Sequence, residues 1–259
     1  MIRAFVNAIF PDECRVCGET LREISRVPVC RRCLQDHAPL EAEFFCIACR
    51  TPFVNRFPLD ESGRCALCRT GAAGFDAVYS YGSYEGSLRT LIHLFKYNGV
   101  RPLAAHFGKL LAIALPRTER FDLIVPMPLH WRRRWARGYN QSALLANEIS
   151  KKWNAPVRNV IRRARFTHTQ AGLTNAKRRA NVAGAFEMRG GIRLDGMRVL
   201  LVDDVLTTGA SASACARVLK RAGARQVTVL TLARTDRRAS LDRPEFRSQA
   251  AAAAGSRQL

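Results

Sequence analysis

The period of the apolar positions changes several times along the chain, and each change marks an element. Val199 to Val202 is a run of four apolar β-formers, the pattern of a parallel strand buried on both faces. Beyond it, Cys215, Val218, Leu219 and Ala222 fall at i, i+3, i+4 and i+7, which predicts a helix with one apolar stripe. Gly223 then stands where a left-handed C-terminal cap is expected. Upstream, Phe75 to Tyr84 alternates enough for a strand or hairpin, and Leu88, Leu91, Ile92 and Phe95 give a helical stripe ending near Lys96 and Tyr97. Leu103 to Ala114 is a second helix, with Phe107, Leu110, Leu111 and Ala114 on one side. Asp122 to Val125 reads as a short buried strand stopped by Pro126 and Pro128, a helix runs from about Asn140 to Trp153, and a last strand covers Val227 to Ala233. Such alternation predicts an α/β domain with a parallel sheet.

Before Phe75 cysteines set the pattern. Eight of the nine form Cys-x-x-Cys pairs, Cys14/Cys17, Cys30/Cys33, Cys46/Cys49 and Cys65/Cys68. Two thiolates three residues apart grip one tetrahedral Zn²⁺ from a tight knuckle, and a second pair some 12 to 15 residues on completes a Cys₄ shell, as in zinc ribbons. The simplest pairing puts Cys14, Cys17, Cys30 and Cys33 on one zinc and Cys46, Cys49, Cys65 and Cys68 on another; a cross-braced arrangement is the alternative. Gly18 suits the turn of a knuckle. A thioredoxin-like role needs a strand-to-helix context that is missing, and a disulfide framework needs an oxidising compartment that the N-terminus does not announce. Both zincs are therefore expected to be structural, with closed shells and no open position for water. Cys215, alone on the apolar face of its helix, reads as a small buried hydrophobe.

The expected organisation is a double zinc-ribbon domain over 1–74, a parallel-sheet α/β domain over 75–236 and a tail over 237–259 that is polar, then Ala-rich and without apolar period. Thr70 to Phe75, rich in small residues, is the connector. The chain of 259 residues is 47% hydrophobic, ample for a core. Its 42 Lys plus Arg against 21 Asp plus Glu give a formal charge of +21, which points to polyanionic partners, nucleic acid or phosphorylated metabolites. No run of about 18 apolar residues exists, which excludes a membrane-spanning helix on length. Met1 to Phe10 makes a poor signal peptide and a better short docking helix, so a cytoplasmic location is the default expectation.

The most informative chemistry follows the Val199 run. Asp203 and Asp204 come at the carboxyl end of that strand, where open α/β sheets bind ligands, and Thr207, Thr208, Gly209, Ala210 and Ser211 supply hydroxyls and a glycine where a helix starts. Carboxylates suit the vicinal hydroxyls of a ribose, directly or through a hydrated Mg²⁺. A phosphate at the helix N-terminus meets unpaired N–H groups and the positive end of the dipole. Neither a Walker A loop nor a Gly-x-Gly-x-x-Gly loop is present. The stretch resembles the phosphoribosyl pyrophosphate signature of type I phosphoribosyltransferases.

A wider resemblance covers nearly the whole chain. The cysteine pairs are joined by Tyr84-Glu85-Gly86 leading to Leu94-Phe95-Lys96, by Val125-Pro126-Met127-Pro128-Leu129-His130, and by Arg137-Gly138-Tyr139-Asn140-Gln141. Thr169-Gln170-Ala171-Gly172-Leu173, Arg178-Arg179-Ala180-Asn181 and the Asp-Asp loop follow in order. Together these resemble the ComF-type (GntX-like) competence family, a zinc ribbon before a phosphoribosyltransferase-type domain. The resemblance implies a link to DNA uptake in natural transformation, with partners in the uptake machinery.

It also assigns expectations to the basic segments. In type I phosphoribosyltransferases a loop after the first core strand meets the pyrophosphate; Pro126 to Arg134 matches it, with Arg133, Arg134 and Arg137 as contacts or as a solvated run. Phe166 to Ala185, with Gln170, Lys177, Arg178, Arg179 and Asn181, resembles the flexible loop that closes over the substrate and keeps water from the glycosyl donor. Lys96 either reaches the same phosphates or caps its helix. The implied chemistry is Mg²⁺-assisted displacement at the anomeric carbon with pyrophosphate leaving, the acceptor unassigned. The competing class is a non-catalytic binding protein whose phosphoribosyl site only senses a ligand, with ribbon and basic loops contacting single-stranded DNA. Trp131, Trp135 and Tyr139 among Arg132, Arg133, Arg134 and Arg137 suit a strand-binding groove. The preferred reading puts those aromatics in the core or an interdomain contact.

Overall fold

A computed structural model of the chain describes residues 13–21, 25–71, 73–164 and 184–235. The expectations for Met1 to Phe10, for Gln170, Lys177, Arg178, Arg179 and Asn181, and for the tail lie outside those residues. The cysteine region carries α1 (Arg31–Gln35), β1 (Phe44–Phe45), β2 (Pro52–Phe53) and α2 (Ala66–Arg69). The remainder runs β3 (Ala77–Ser83), α3 (Gly86–Tyr97), α4 (Leu103–Ala114), β4 (Leu123–Pro126), α5 (Trp131–Arg137) and α6 (Gln141–Trp153). It continues with β5 (Ile161–Arg163), β6 (Phe186–Met188), β7 (Arg198–Leu206), α7 (Ala210–Arg221) and β8 (Gln226–Arg234).

Four strands form one parallel sheet in the order β3-β8-β7-β4. Alternate side chains of its central strands feed two cores. Leu200, Val202, Leu230 and Leu232 pack with Leu91, Phe95, Phe107, Leu111, Leu145 and Ile149 from α3, α4 and α6. Val199, Leu201, Val227 and Val229 pack with Cys215 and Leu219 of α7. Each fully buried side chain of this size contributes roughly 1.5–3 kcal/mol relative to exposure. Cys14 and Cys33 join the first core, and Cys46, Cys49, Cys65 and Cys68 the second, so the knuckles are part of what buries the sheet. Among the described residues no helix is long and apolar enough to cross a membrane.

Four expectations need correction. The strand that begins at Val199 does not end at Val202: β7 stays paired with β8 through Asp203↔Thr231, Val205↔Ala233 and Leu206↔Arg234. The backbone ladder continues where the apolar run, which reports only side chains, has stopped. Pro126 closes β4 from inside the strand, opposite Val202; β4 is a sheet edge, where a missing N–H is tolerated. The stretch Pro126 to Arg134, expected as a loop, turns helical at Trp131. His130 Nδ1 accepts from the Arg132 N–H at 3.3 Å to start α5, and Gly138, at φ +76°, ends it. That helix buries none of its residues, so it has no apolar period to read. Trp131 and Trp135 are accordingly 64% and 87% exposed rather than core, while Tyr139 is buried against Phe95.

Candidate functional site

Because β7 and β8 run past the end of β4, a cleft of about 440 Å³ opens at their carboxyl ends. Asp203, Asp204, Thr207, Gly209, Ala210 and Ser211 line it from the β7–α7 connection, Arg133 and Arg137 from α5, Lys96 and Tyr97 from the end of α3, and Arg163 from β5. Adjacent strand residues point to opposite faces, so the two acids have different company. Asp203 Oδ1 accepts from Ser142 Oγ at 3.0 Å and from the Asp204 N–H at 2.9 Å. Asp204 Oδ1 lies 2.9 Å from Lys96 Nζ, and its Oδ2 is buried with no hydrogen-bond partner among the described residues. Burial, then the Asp204 charge, push the Asp203 carboxyl up to about 7 against the pull of Lys96. Burial draws the Lys96 ammonium down, but Asp204 and then Asp203 more than offset it, leaving it above its ordinary value.

The loop behind the acids presents a helix N-terminus to the cleft. Gly209 at φ +76° is the N-cap of α7, a backbone conformation that only glycine adopts without strain. The Ser213 N–H donates to the Gly209 carbonyl at 2.8 Å, and the N–H groups of the preceding turn have no carbonyl within the helix to reach. Thr208 Oγ1 accepts from the Ala210 N–H at 3.4 Å and holds the turn from outside the cleft lining. Thr235 ties the loop to the end of β8, its N–H to the Leu206 carbonyl at 3.0 Å and its hydroxyl to the Thr207 carbonyl at 3.3 Å.

The structure divides the arginines. Arg133 and Arg137 enter the cleft, whereas Arg134 lines a separate shallow depression with Trp131, Trp135 and Gly138. Arg137 donates to Gln141 Oε1 and stacks 5.1 Å above the Tyr97 ring. Lys96 neither caps its helix nor faces solvent, because Asp204 holds it. Sequence reasoning missed Ser142, Arg163 and Tyr97. Ser142 had a local signal, since Asn140 Oδ1 accepts from the Ser142 N–H at 3.1 Å as the N-cap of α6, while Asn140 Nδ2 donates to the Met127 carbonyl at 3.1 Å. Arg163 had none. Cys215 Sγ is fully buried beside Met127 Sδ at 3.4 Å, with burial pushing its thiol well up.

The cysteines gather as the simplest pairing has them: Cys14, Cys17, Cys30 and Cys33 in one cluster, Cys46, Cys49, Cys65 and Cys68 in the other, all ligand atoms of a cluster within 4.8 Å of one another. Gly18, at φ +76°, donates its N–H to the Cys14 carbonyl at 2.8 Å to close the first knuckle. The Cys17–Cys30 and Cys49–Cys65 sulfur separations are 3.8 and 3.6 Å. A tetrahedron of sulfurs about 2.3 Å from a zinc has edges of about 3.8 Å, so the donor sets fit that ion. In the second cluster hydrogen bonds from Cys49, then Cys65 and Cys68, pull the Cys46 thiol far down, while Cys46 and Cys49 drive Cys68 far up.

The family profile "Phosphoribosyl transferase domain" matches residues 140–249. Over 178 residues the chain is 33% identical to Competence protein F of Haemophilus influenzae, covering 66% of this chain and 78% of that protein. It is 30% identical over 235 residues to DNA utilization protein YhgH of Salmonella typhimurium, covering 87% and 98%. It is 26% identical over 234 residues to Competence protein ComFC of Bacillus subtilis, covering 87% and 86%.

Proposed function

The chain belongs to the ComF-type competence family, and we propose that its cleft binds 5-phosphoribosyl pyrophosphate together with Mg²⁺. The observation that carries this reading is convergence: two carboxylates and a glycine-capped helix N-terminus from the β7–α7 connection share one cleft with two arginines from α5. Asp203 and Asp204 accept hydrogen bonds from the vicinal ribose hydroxyls. The α7 N-terminus and the hydroxyls of Thr207 and Ser211 take the 5′-phosphate. Arg133 and Arg137 take the diphosphate. Hard carboxylate oxygens suit Mg²⁺, and the unpartnered Asp204 Oδ2 fits that donor set. Bound there, Mg²⁺ neutralises diphosphate charge.

The reaction supported is pentosyl transfer, in which the bond from the anomeric carbon to the diphosphate oxygen breaks as a bond to an acceptor nucleophile forms. The Cys₄ clusters, with four protein ligands each, leave no open position and hold zinc as structural ions; thiolates suit a reducing, cytoplasmic setting. The relatives' names, competence protein and DNA utilization protein, support a role for this activity in DNA utilization.

One observation favours a second reading, a non-catalytic protein that binds single-stranded DNA and uses the cleft for sensing. Trp131 and Trp135 stand exposed on the arginine-rich α5, the aromatic and cationic surface on which bases stack. Calorimetry of zinc-replete protein with phosphoribosyl pyrophosphate and Mg²⁺ decides, run beside the Asp203→Asn, Asp204→Asn double variant. Binding that the variant loses supports the first reading. No binding by folded wild type, with salt-sensitive strand affinity that survives the double substitution, supports the second.

A further inference from the structure

A ribose and metal site does not require the Lys96–Asp204 pair. The two side chains are only 15% and 6% exposed, so their attraction is little screened and either charge left alone would be costly. Lys96 occupies the last turn of α3, which is anchored by the fully buried Leu91, Ile92 and Phe95, while the rotatable bonds of its four-carbon stem let the ammonium be redirected without moving the helix. The charges around it are unbalanced. Among the described residues, Lys96, Arg133, Arg137 and Arg163 line the cleft against the carboxylates of Asp203 and Asp204.

We propose that Lys96 is a resident cation that holds the Asp204 carboxylate until a diphosphate arrives, so that a divalent cation enters this site only in company with that anion. The inference rests on the reading of the cleft as a phosphoribosyl pyrophosphate and Mg²⁺ site. A free dication must displace the ammonium from Asp204 and then share a small cleft with it and three guanidinium groups. A diphosphate reverses that balance. It brings more negative charge than the acids themselves, offers the ammonium a new partner, and frees Asp204 for the ribose or its metal. Lys96 is thereby a positioning residue whose partner changes with occupancy, and the empty cleft is kept from collecting metal.

Full-length, zinc-replete protein is titrated with Mn²⁺, a paramagnetic substitute for Mg²⁺, in the absence of any phosphoribosyl compound, and bound Mn²⁺ is read from loss of the free-ion resonance. Lys96→Met is expected to bind one Mn²⁺ at least about tenfold more tightly than wild type, since a competing charge is gone. Lys96→Arg, which keeps that charge, stays like wild type, and adding Asp204→Asn to Lys96→Met abolishes the gain. Equal affinity in wild type and Lys96→Met, or a gain that survives Asp204→Asn, overturns the proposal. Should Lys96→Met not fold, wild type alone suffices: tight Mn²⁺ binding that Asp204→Asn removes, with no diphosphate present, also overturns it. Calorimetry with the phosphoribosyl compound separates the two ideas. A Lys96→Met gain without ligand binding by wild type sinks the functional reading only, and ligand binding without the gain sinks the cation exchange only.

Discussion

Arg234 Nη1 donates to the Cys49 carbonyl at 2.7 Å, so the last strand of the sheet holds the second cysteine cluster directly. Its Nη2 donates to Thr51 Oγ1 at 2.7 Å, and that hydroxyl lies 2.9 Å from Cys49 Sγ. Arg234 is also the register partner of Leu206, and Thr235 beside it holds the Leu206 and Thr207 carbonyls. Knuckle and β7–α7 loop therefore hang on the same two residues, Arg234 of β8 and Thr235 at its end.

Arg234→Met should cost about 2–3 kcal/mol, because two charge-assisted bonds at a buried position are lost together. It should also speed zinc release from the second cluster to a chelator and weaken phosphoribosyl pyrophosphate binding. Denaturation, chelator kinetics and calorimetry on one sample check this. Lower stability with an unchanged release rate would mean that Arg234 supports the core without reaching the knuckle.

Acid should loosen the contact between the ribbon and α4. His37 Nε2 and His106 Nε2 are 3.3 Å apart, within hydrogen-bond distance, and His37 Nδ1 meets the Tyr81 hydroxyl at 3.1 Å. Burial, then His37 and Lys109, hold His106 below its ordinary value. Its folded form thus binds fewer protons than the unfolded chain, and the stability it contributes is present above about pH 6.5 and lost as pH falls toward the folded value. His93 and His130, also lowered chiefly by burial, act in the same direction, whereas Asp203, raised, acts oppositely. Comparing the wild-type loss of stability from pH 7.5 to 5.5 with that of His106→Gln isolates the pair; equal losses would remove it from the explanation.

Gly108→Ala should destabilise, although alanine is the better helix former by about 1 kcal/mol. A Cβ at Gly108 of α4 would come within 2.6 Å of Glu148 Cβ on α6, too near the backbone to move aside. Overpacking of this kind costs about 1–3 kcal/mol, to be read as a lower melting temperature. A rise in melting temperature would show that the helices separate freely.

Trp135→Ala should leave stability within about 0.5 kcal/mol, since the ring touches no core. Under the strand-binding reading it weakens single-stranded DNA binding by about 1–3 kcal/mol, the worth of one stacked base. Fluorescence anisotropy at fixed salt measures this, and unaltered affinity would take α5 out of any strand-binding surface.

The elements with a strong period were legible: α3, α4, α6, α7 and the core of β7 and β8 lie where their apolar stripes put them, because burying one face is what stabilises them. The two Cys₄ sets were legible from spacing, because a knuckle is a local structure. Asp203, Asp204 and the Thr207–Ser211 loop were legible for the same reason, being contiguous. α5 was not, since a helix with no buried residue leaves no stripe.

What the sequence alone determined is therefore local: which segments bury a face, which cysteines can share an ion, and which thirteen residues from Val199 to Ser211 join two carboxylates to a helix N-terminus. The tertiary structure alone decided that Lys96, 108 positions before Asp204, is its partner, that Arg133 and Arg137 enter the cleft while Arg134 does not, and that Arg234 grips Cys49. Period and spacing describe neighbours along the chain. A charge pair across a cleft depends on where the sheet order β3-β8-β7-β4 sets the ends of strands far apart in sequence, and on how much water that packing excludes.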